Sequence, residues 1–243
     1  MEEGAGERLE MMIDRRISGE PLQYIVGHQE FWSIDLTVTP RVLIPRPETE
    51  LLVEQALAIL SERSFKPGPW VLDVGTGSGA IAIALAKEIE DIFVVATDIS
   101  KEALNVAKEN ARRVRVGEKI QFVQGDLLCP FRPLNKKGPF DLMISNPPYI
   151  DRADIGTLEK EVKDHEPIIA LDGGREGLDF YRQMALEAPS LIRQGGWFLL
   201  EIGHGQGQRV LELVGACGAF SNSKILFDLA GRERVVKAEK SRE

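Results

Sequence analysis

A chain of 243 residues that is 43% hydrophobic can bury a full core, as one large domain or one domain with a small appendage. A formal net charge of −8, with no extended lysine- and arginine-rich block, argues against a grip on duplex DNA through its phosphates. The two cysteines, Cys129 and Cys217, and the three histidines, His28, His165 and His204, are scattered, so neither a metal site nor a disulfide framework is expected.

The acidic residues 1–7 lack the apolar run of a signal peptide, and no apolar stretch approaches the roughly 20 residues of a membrane helix. A soluble, cytoplasmic protein is the expectation. Residues 1–16 carry Leu9, Met12 and Ile13 at helical spacing and predict one short helix, ending before Ser18-Gly19-Glu20-Pro21. Alternation of Phe31, Ile34, Leu36 and Val38 predicts a hairpin or small sheet over 28–38. Pro47 followed by Glu48 and Glu50 fits the start of a helix that buries Leu51, Leu52, Ala56 and Ile59. Residues 1–45 are therefore read as a helix-and-hairpin appendage and 46–243 as the main domain.

From residue 70 onward strand and helix signals alternate, the mark of a parallel sheet covered on both faces. Strands are predicted over 70–73, 93–97, 120–123, 140–145 and 197–202. Helices are predicted over 80–87, 100–111, 178–192 and 206–214. Two late strands, 225–227 and 235–237, close the chain as antiparallel neighbours. The fold class is α/β, with a doubly wound, seven-stranded, mostly parallel sheet.

Four strand ends carry chemistry. Asp73-Val74-Gly75-Thr76-Gly77-Ser78-Gly79 is a turn in which glycines let the backbone approach a ligand closely. Its G-x-G-x-G spacing is not the dinucleotide fingerprint, and the Asp73 charge favours a cationic ligand over a pyrophosphate. Asp98, about twenty residues on, stands where a carboxylate can grip ribose hydroxyls, and is otherwise a cap. Asp126 can accept from an exocyclic amine while Leu127 packs on its ring. Asn146-Pro147-Pro148-Tyr149 must end its strand, because proline has no N–H and a fixed φ. Its asparagine, a proline-linked carbonyl and a flat tyrosine suit a planar NH2 group, an amide or a base amine. As a lone motif it is equally a loop that stops a strand. His28, His165, His204, Trp32, Trp70 and Trp197 are read as packing or surface residues.

This series resembles class I S-adenosylmethionine-dependent methyltransferases that act on amide or exocyclic amino nitrogens. The segments Gly19-Glu20-Pro21-Leu22-Gln23-Tyr24-Ile25-Val26-Gly27, Glu30-Phe31, 43–50, Glu166-Pro167 and Gly173-Gly174-Arg175-Glu176-Gly177-Leu178-Asp179-Phe180-Tyr181-Arg182, with Glu201-Ile202-Gly203-His204-Gly205-Gln206, narrow it. Together they are similar to the protein-(glutamine-N5) methyltransferases of peptide chain release factors, the PrmC/HemK family. The resemblance implies a Rossmann-like domain using S-adenosylmethionine, with S-adenosylhomocysteine as product and no metal. It implies a cofactor site of Asp73, Gly75, Thr76, Gly77, Asp98, Ile99, Asp126, Leu127 and Asn146. The catalytic loop would be Asn146, Pro147 and Tyr149. Pro148, Phe31, Arg46, Pro47 and Thr49 would line the substrate side.

The implied partner is a bacterial-type release factor, methylated on the glutamine of its Gly-Gly-Gln loop. A monomer is expected, and segment 1–45 is short beside the family's N-terminal subdomain. The runner-up is an N6-adenine methyltransferase in which Tyr149 stacks a flipped base. A non-catalytic S-adenosylmethionine binder is the third reading, though it would have no need of Asn146 and Tyr149.

Overall fold

The computed structural model describes residues 5–62, 65–132 and 138–242. Residues 1–4 of the helix predicted over 1–16 lie outside that description. The chain begins with α1 (Ala5–Ile17) and the short α2 (Leu22–Val26), followed by the hairpin β1 (His28–Phe31) and β2 (Ile34–Thr37). The two residues of the hairpin turn, Trp32 and Ser33, both have φ of 53°, as a tight turn between right-twisted strands requires. α1 buries none of its residues. Its Arg15–Glu20 and Arg16–Glu161 ion pairs lie largely at the surface, where such pairs contribute little.

The chain continues through α3 (Glu50–Ser61), β3 (Trp70–Val74), α4 (Ala80–Glu88), β4 (Phe93–Asp98), α5 (Lys101–Val114), β5 (Ile120–Gln124), β6 (Phe140–Ser145), α6 (Lys160–Lys163), α7 (Asp179–Leu191), β7 (Ile192–Glu201), α8 (Gly207–Ala216), β8 (Phe220–Phe227) and β9 (Glu233–Lys240). The described strands form a seven-stranded sheet in the order β5-β4-β3-β6-β7-β9-β8. β3 to β7 are parallel, whereas β9 is antiparallel to both β7 and β8. Strand order reverses at β3, with β4 on one side and β6 on the other. Open α/β sheets bind ligands outside the carboxyl ends of strands at such a reversal.

The central strands read as unbroken apolar runs because both faces are covered. Val71, Leu142, Ile144 and Leu199 pack into one core with α3 and α4. Their neighbours in sequence, Leu72, Met143, Phe198 and Leu200, pack into a second core with α7 and α8. α4 is buried all round from Ala80 to Ala86, so its composition shows no polar face. α5 is amphipathic instead: Ser100 caps it by accepting from the Ala103 N–H at 3.1 Å, and Arg112 and Arg113 occupy its last turn.

Three boundaries differ from those predicted. β7 begins at Ile192 rather than 197, running through Gly195 at φ 68° with a register shift on its pairing with β6. β8 and β9 are each eight residues long: solvent-facing polar residues hide the apolar period of β8 at the sheet edge, and charged residues flank the short apolar run of β9. α2, a five-residue helix closed by Gly27 in the left-handed region, is too short for periodicity to announce.

Asn110, 1% exposed on α5, ties the hairpin to the domain. Its Oδ1 accepts from the Thr37 N–H at 2.8 Å, and its Nδ2 donates to the carbonyls of Thr37 and Ser78 at 3.0 Å each. Asn110→Ala leaves these groups without their partner and is expected to cost about 2 kcal/mol. For a domain of this size that is a fall in thermal midpoint of roughly 4–8 °C, measurable by calorimetry.

Candidate active site

β3 hands over to α4 through Gly75-Thr76-Gly77-Ser78-Gly79. Gly75 and Gly77 have φ of 74° and 55°, and a Cβ on either would meet nothing within 4 Å, so the loop faces open space. The loop is pinned from β4: the N–H groups of Gly75 and Thr76 donate to the Thr97 carbonyl at 2.9 and 2.8 Å. Gly77 N–H donates to Asp98 Oδ2 and Ser100 N–H to Asp98 Oδ1, each at 2.9 Å. Burial raises the Asp98 pKa, while these backbone donors oppose the shift.

Asp73 is placed differently from a ligand-facing carboxylate. It is fully buried, accepts from Thr76 Oγ1 at 2.6 Å, and burial pushes its pKa up to about 7. Neither Asp73 nor Thr76 is among the residues that line the adjoining cavity. Both brace the glycine loop from inside the fold.

The cavity brings together Gly75, Gly77, Asp98, Ile99, Asp126, Leu127, Asn146 and Pro148, from the ends of four strands. Leu127 holds a positive φ of 44°, a strained backbone at the cavity wall. Residues with no periodic signal complete the enclosure: Arg41, Val42 and Leu43 on the loop after the hairpin, Pro167, Ile169 and Ala170, and Phe180 at the start of α7. They come from loops and a helix start far apart in sequence, which sequence spacing cannot relate.

Asn146-Pro147-Pro148-Tyr149 leaves β6 beside the glycine loop. Ser145 Oγ donates to the Val74 carbonyl at 2.7 Å, locking the two strand ends together. Gln206 anchors the far end: its Nε2 donates to the Tyr149 carbonyl at 2.9 Å, and its Oε1 accepts from the Gly203 N–H at 3.0 Å. The glycines of 173–177 then approach the loop backbone to backbone. A Cβ at Gly173 would lie 2.8 Å from Tyr149 Cα, and one at Gly177 would lie 2.1 Å from the Tyr149 carbonyl oxygen. Pro147 is buried, and Tyr149 is half-buried. Burial and the nearby Glu201 push the Tyr149 phenol up to about 12.

In the turn before α3, Thr49 is buried and its hydroxyl accepts from Asn146 Nδ2 at 3.2 Å. Glu201, at the end of β7, is buried, and desolvation pushes its carboxyl up to about 7. Arg46 pairs with the buried Glu166, and Pro47 is exposed. Phe31 is 1% exposed within the core formed with Ile34, Leu36 and Leu52, and is not among the cavity-lining residues. Glu201 escaped sequence reasoning as a site residue. The available signal was a carboxylate closing the apolar run Trp197-Phe198-Leu199-Leu200.

Gly177 has φ of 67° as well as no room for a side chain. Gly177→Ala is expected to displace Tyr149 and reduce turnover at least tenfold, a loss that steady-state kinetics reads directly.

Residues 49–163 match the family model described as "Methyltransferase small domain", and residues 1–27 the one described as "PrmC N-terminal domain". Among solved structures, a methyltransferase from Pyrococcus furiosus superposes with a TM-score of 0.58 at 18% identity, covering 98% of this chain and 100% of that one. The N-terminal domain of human METTL16, solved in complex with SAH, gives 0.61 at 18% identity, covering 87% of this chain and 77% of that one. These likenesses show the fold. A protein of Moorella thermoacetica named release factor glutamine methyltransferase is 46% identical over 98% of this chain and 82% of its own length. One of that name from Bradyrhizobium diazoefficiens is 40% identical over 98% of this chain and 78% of its own length. At that identity and coverage, the chain belongs to the release factor glutamine methyltransferase family.

Proposed function

We propose that the protein transfers a methyl group from S-adenosylmethionine to the side-chain amide nitrogen of the glutamine in a release factor's Gly-Gly-Gln loop. The observation that carries this reading is the Asn146-Pro147-Pro148-Tyr149 loop held against the cavity at the strand reversal, in a chain of this family. The cavity fits the cofactor by its chemistry. Gly75 and Gly77 leave backbone open to a ligand, and Asp98, fixed by two N–H donors, still faces the cavity and can accept from ribose hydroxyls. Asp126 and Leu127 supply an acceptor and an apolar wall for adenine. S-adenosylmethionine, when bound, supplies a methyl group on a sulfonium leaving group. No metal is invoked.

An amide nitrogen is a weak nucleophile because its lone pair is delocalised into the carbonyl. Asn146 Oδ1 and the Pro147 carbonyl each accept one of its N–H bonds, which fixes the plane of the NH2 and favours positive charge growing on nitrogen. Proline suits this task because its carbonyl belongs to a rigid backbone with no N–H of its own to reorganise. Catalysis is then orientation and electrostatic stabilisation rather than proton abstraction by a strong base. Pro148 and Tyr149 wall the slot in which the glutamine side chain lies. The acidic balance of the chain and its family membership both count against a base amine as acceptor.

Labelled-methyl transfer tests the reading with three acceptors: an unmodified release factor, its loop Gln→Ala variant, and an adenine-containing duplex. Label on the first alone is expected, and label on the duplex but not the release factor overturns the substrate assignment. Asn146→Ala is expected to lower kcat by about 10²–10³-fold while changing the cofactor Kd by less than about threefold, as calorimetric titration would show. Asp98→Ala should do the reverse, raising that Kd at least tenfold because Gly77 and Ser100 lose their acceptor.

A further inference from the structure

The chain leaves the sheet after Ile150 and returns beside it at Leu171. The neck of this excursion is a backbone bridge, in which Ile150 N–H donates to the Leu171 carbonyl at 3.0 Å and Gly173 N–H to the Ile150 carbonyl at 2.8 Å. Residues 151–170 fold into short turns of their own, and none of their apolar side chains joins a core cluster. Glu166, 4% exposed, is the one buried residue among them. Apolar side chains ordinarily make such an anchor, and carboxylates are rarely buried unless paired. Here Glu166 Oε1 accepts from Arg46 Nη2, while Oε2 is buried with no hydrogen-bond partner. Burial raises the Glu166 pKa, and the Arg46 charge opposes the shift.

The pair stands at the foot of two stretches of cavity wall. Pro167, the next residue, lines the cavity together with Ile169 and Ala170, and its fixed φ of −65° carries the position of Glu166 into that wall. Arg46 follows shortly after another stretch, Arg41, Val42 and Leu43. That stretch is anchored: Val42 and Ile44 are 1% and 2% exposed, and the Val42 carbonyl accepts from the buried Tyr24 hydroxyl at 2.6 Å.

We propose that Glu166 and Arg46 form a polar latch that holds the 151–170 excursion over the cofactor cavity. Neither side chain is among the residues that line the cavity, so both are positioning residues that act through Pro167, Ile169 and Ala170. The inference rests on the reading of that cavity as the S-adenosylmethionine site. An ion pair with a buried carboxylate suits the task, because desolvation offsets much of its attraction while its geometry is directional. It specifies a closed position without a large gain in stability. Released from Arg46, the excursion keeps only its neck and its exposed contacts, and the wall swings away from the ligand. Ile169 lines the cavity yet is 54% exposed, apolar surface that a bound cofactor would cover.

The test uses the full chain, with S-adenosylhomocysteine as the probe and its Kd read by calorimetric titration. Glu166→Gln and Arg46→Met are each expected to raise that Kd about tenfold. The double variant should also raise it about tenfold, not about a hundredfold, because the two side chains act as one unit. Glu166→Gln should raise KM for S-adenosylmethionine to a similar extent while lowering kcat by less than about threefold. The exposed pair Arg16–Glu161, at 2.5 Å on the same excursion, is the control: Glu161→Gln should leave the Kd within about twofold. Additive effects in the double variant, an unchanged Kd in Glu166→Gln, or an equal loss in Glu161→Gln would overturn the latch.

A second readout needs no ligand. Amide hydrogen exchange at 159–170 is expected to quicken about tenfold in Glu166→Gln, with β3 to β7 unchanged. Faster exchange throughout the sheet would make Glu166 a general stabilising residue and sink the latch, and so would unaltered exchange at 159–170. Wild-type protein that binds no S-adenosylhomocysteine overturns the cofactor reading, and the latch with it. Ligand bound with the same affinity by wild type and both single variants overturns the latch alone.

Discussion

Two consecutive prolines at the end of β6 constrain everything around the catalytic loop. Pro147 and Pro148 offer no N–H, so the loop cannot be tied down by its own backbone donors. Its position depends on what its neighbours give and take. Ser145 holds the strand end to Val74, Thr49 accepts from Asn146, and Gln206 donates to the Tyr149 carbonyl. The glycines at 173 and 177 close the remaining side by coming within contact of the backbone itself.

The same end of the sheet concentrates buried carboxyl groups. Asp73, Asp98 and Glu201 all sit at or near the carboxyl ends of parallel strands, and burial raises the pKa of each. Burying such groups disfavours the folded state unless hydrogen bonds offset the lost hydration. Two of them are given specific donors, Thr76 for Asp73 and the Gly77 and Ser100 backbone for Asp98, while Glu201 Oε2 is buried with no hydrogen-bond partner. A protein selected for stability alone would place apolar residues there. Such local cost, confined to one edge of an otherwise apolar sheet, is the signature of a site.

The loop at 146–149 faces two ways. Asn146 and Pro148 line the cavity shared with the glycine loop, while Asn146 reaches back to Thr49 in the turn before α3. The hairpin, tied to α5 by Asn110, carries the chain back over the cavity through Arg41, Val42 and Leu43. The loop after the hairpin thus shares the cavity wall with the strand ends.

Much of this was legible in the residues themselves. Unbroken apolar runs such as Phe93-Val94-Val95-Ala96 declared buried parallel strands, and the glycines, acids and prolines at strand ends declared ligand-facing turns, because backbone chemistry at those points is local. The sheet order and the exact partners are not local. Nothing in the sequence says that Asp73 turns inward to Thr76, that Phe31 joins the core, or that Thr49 meets Asn146, 97 positions further on. The short-range grammar of strands and turns determined which loops would carry the chemistry. Only the packing of distant segments decided which side chains face the cavity and which stand behind it, because burial and hydrogen-bond partnership are properties of neighbours in space.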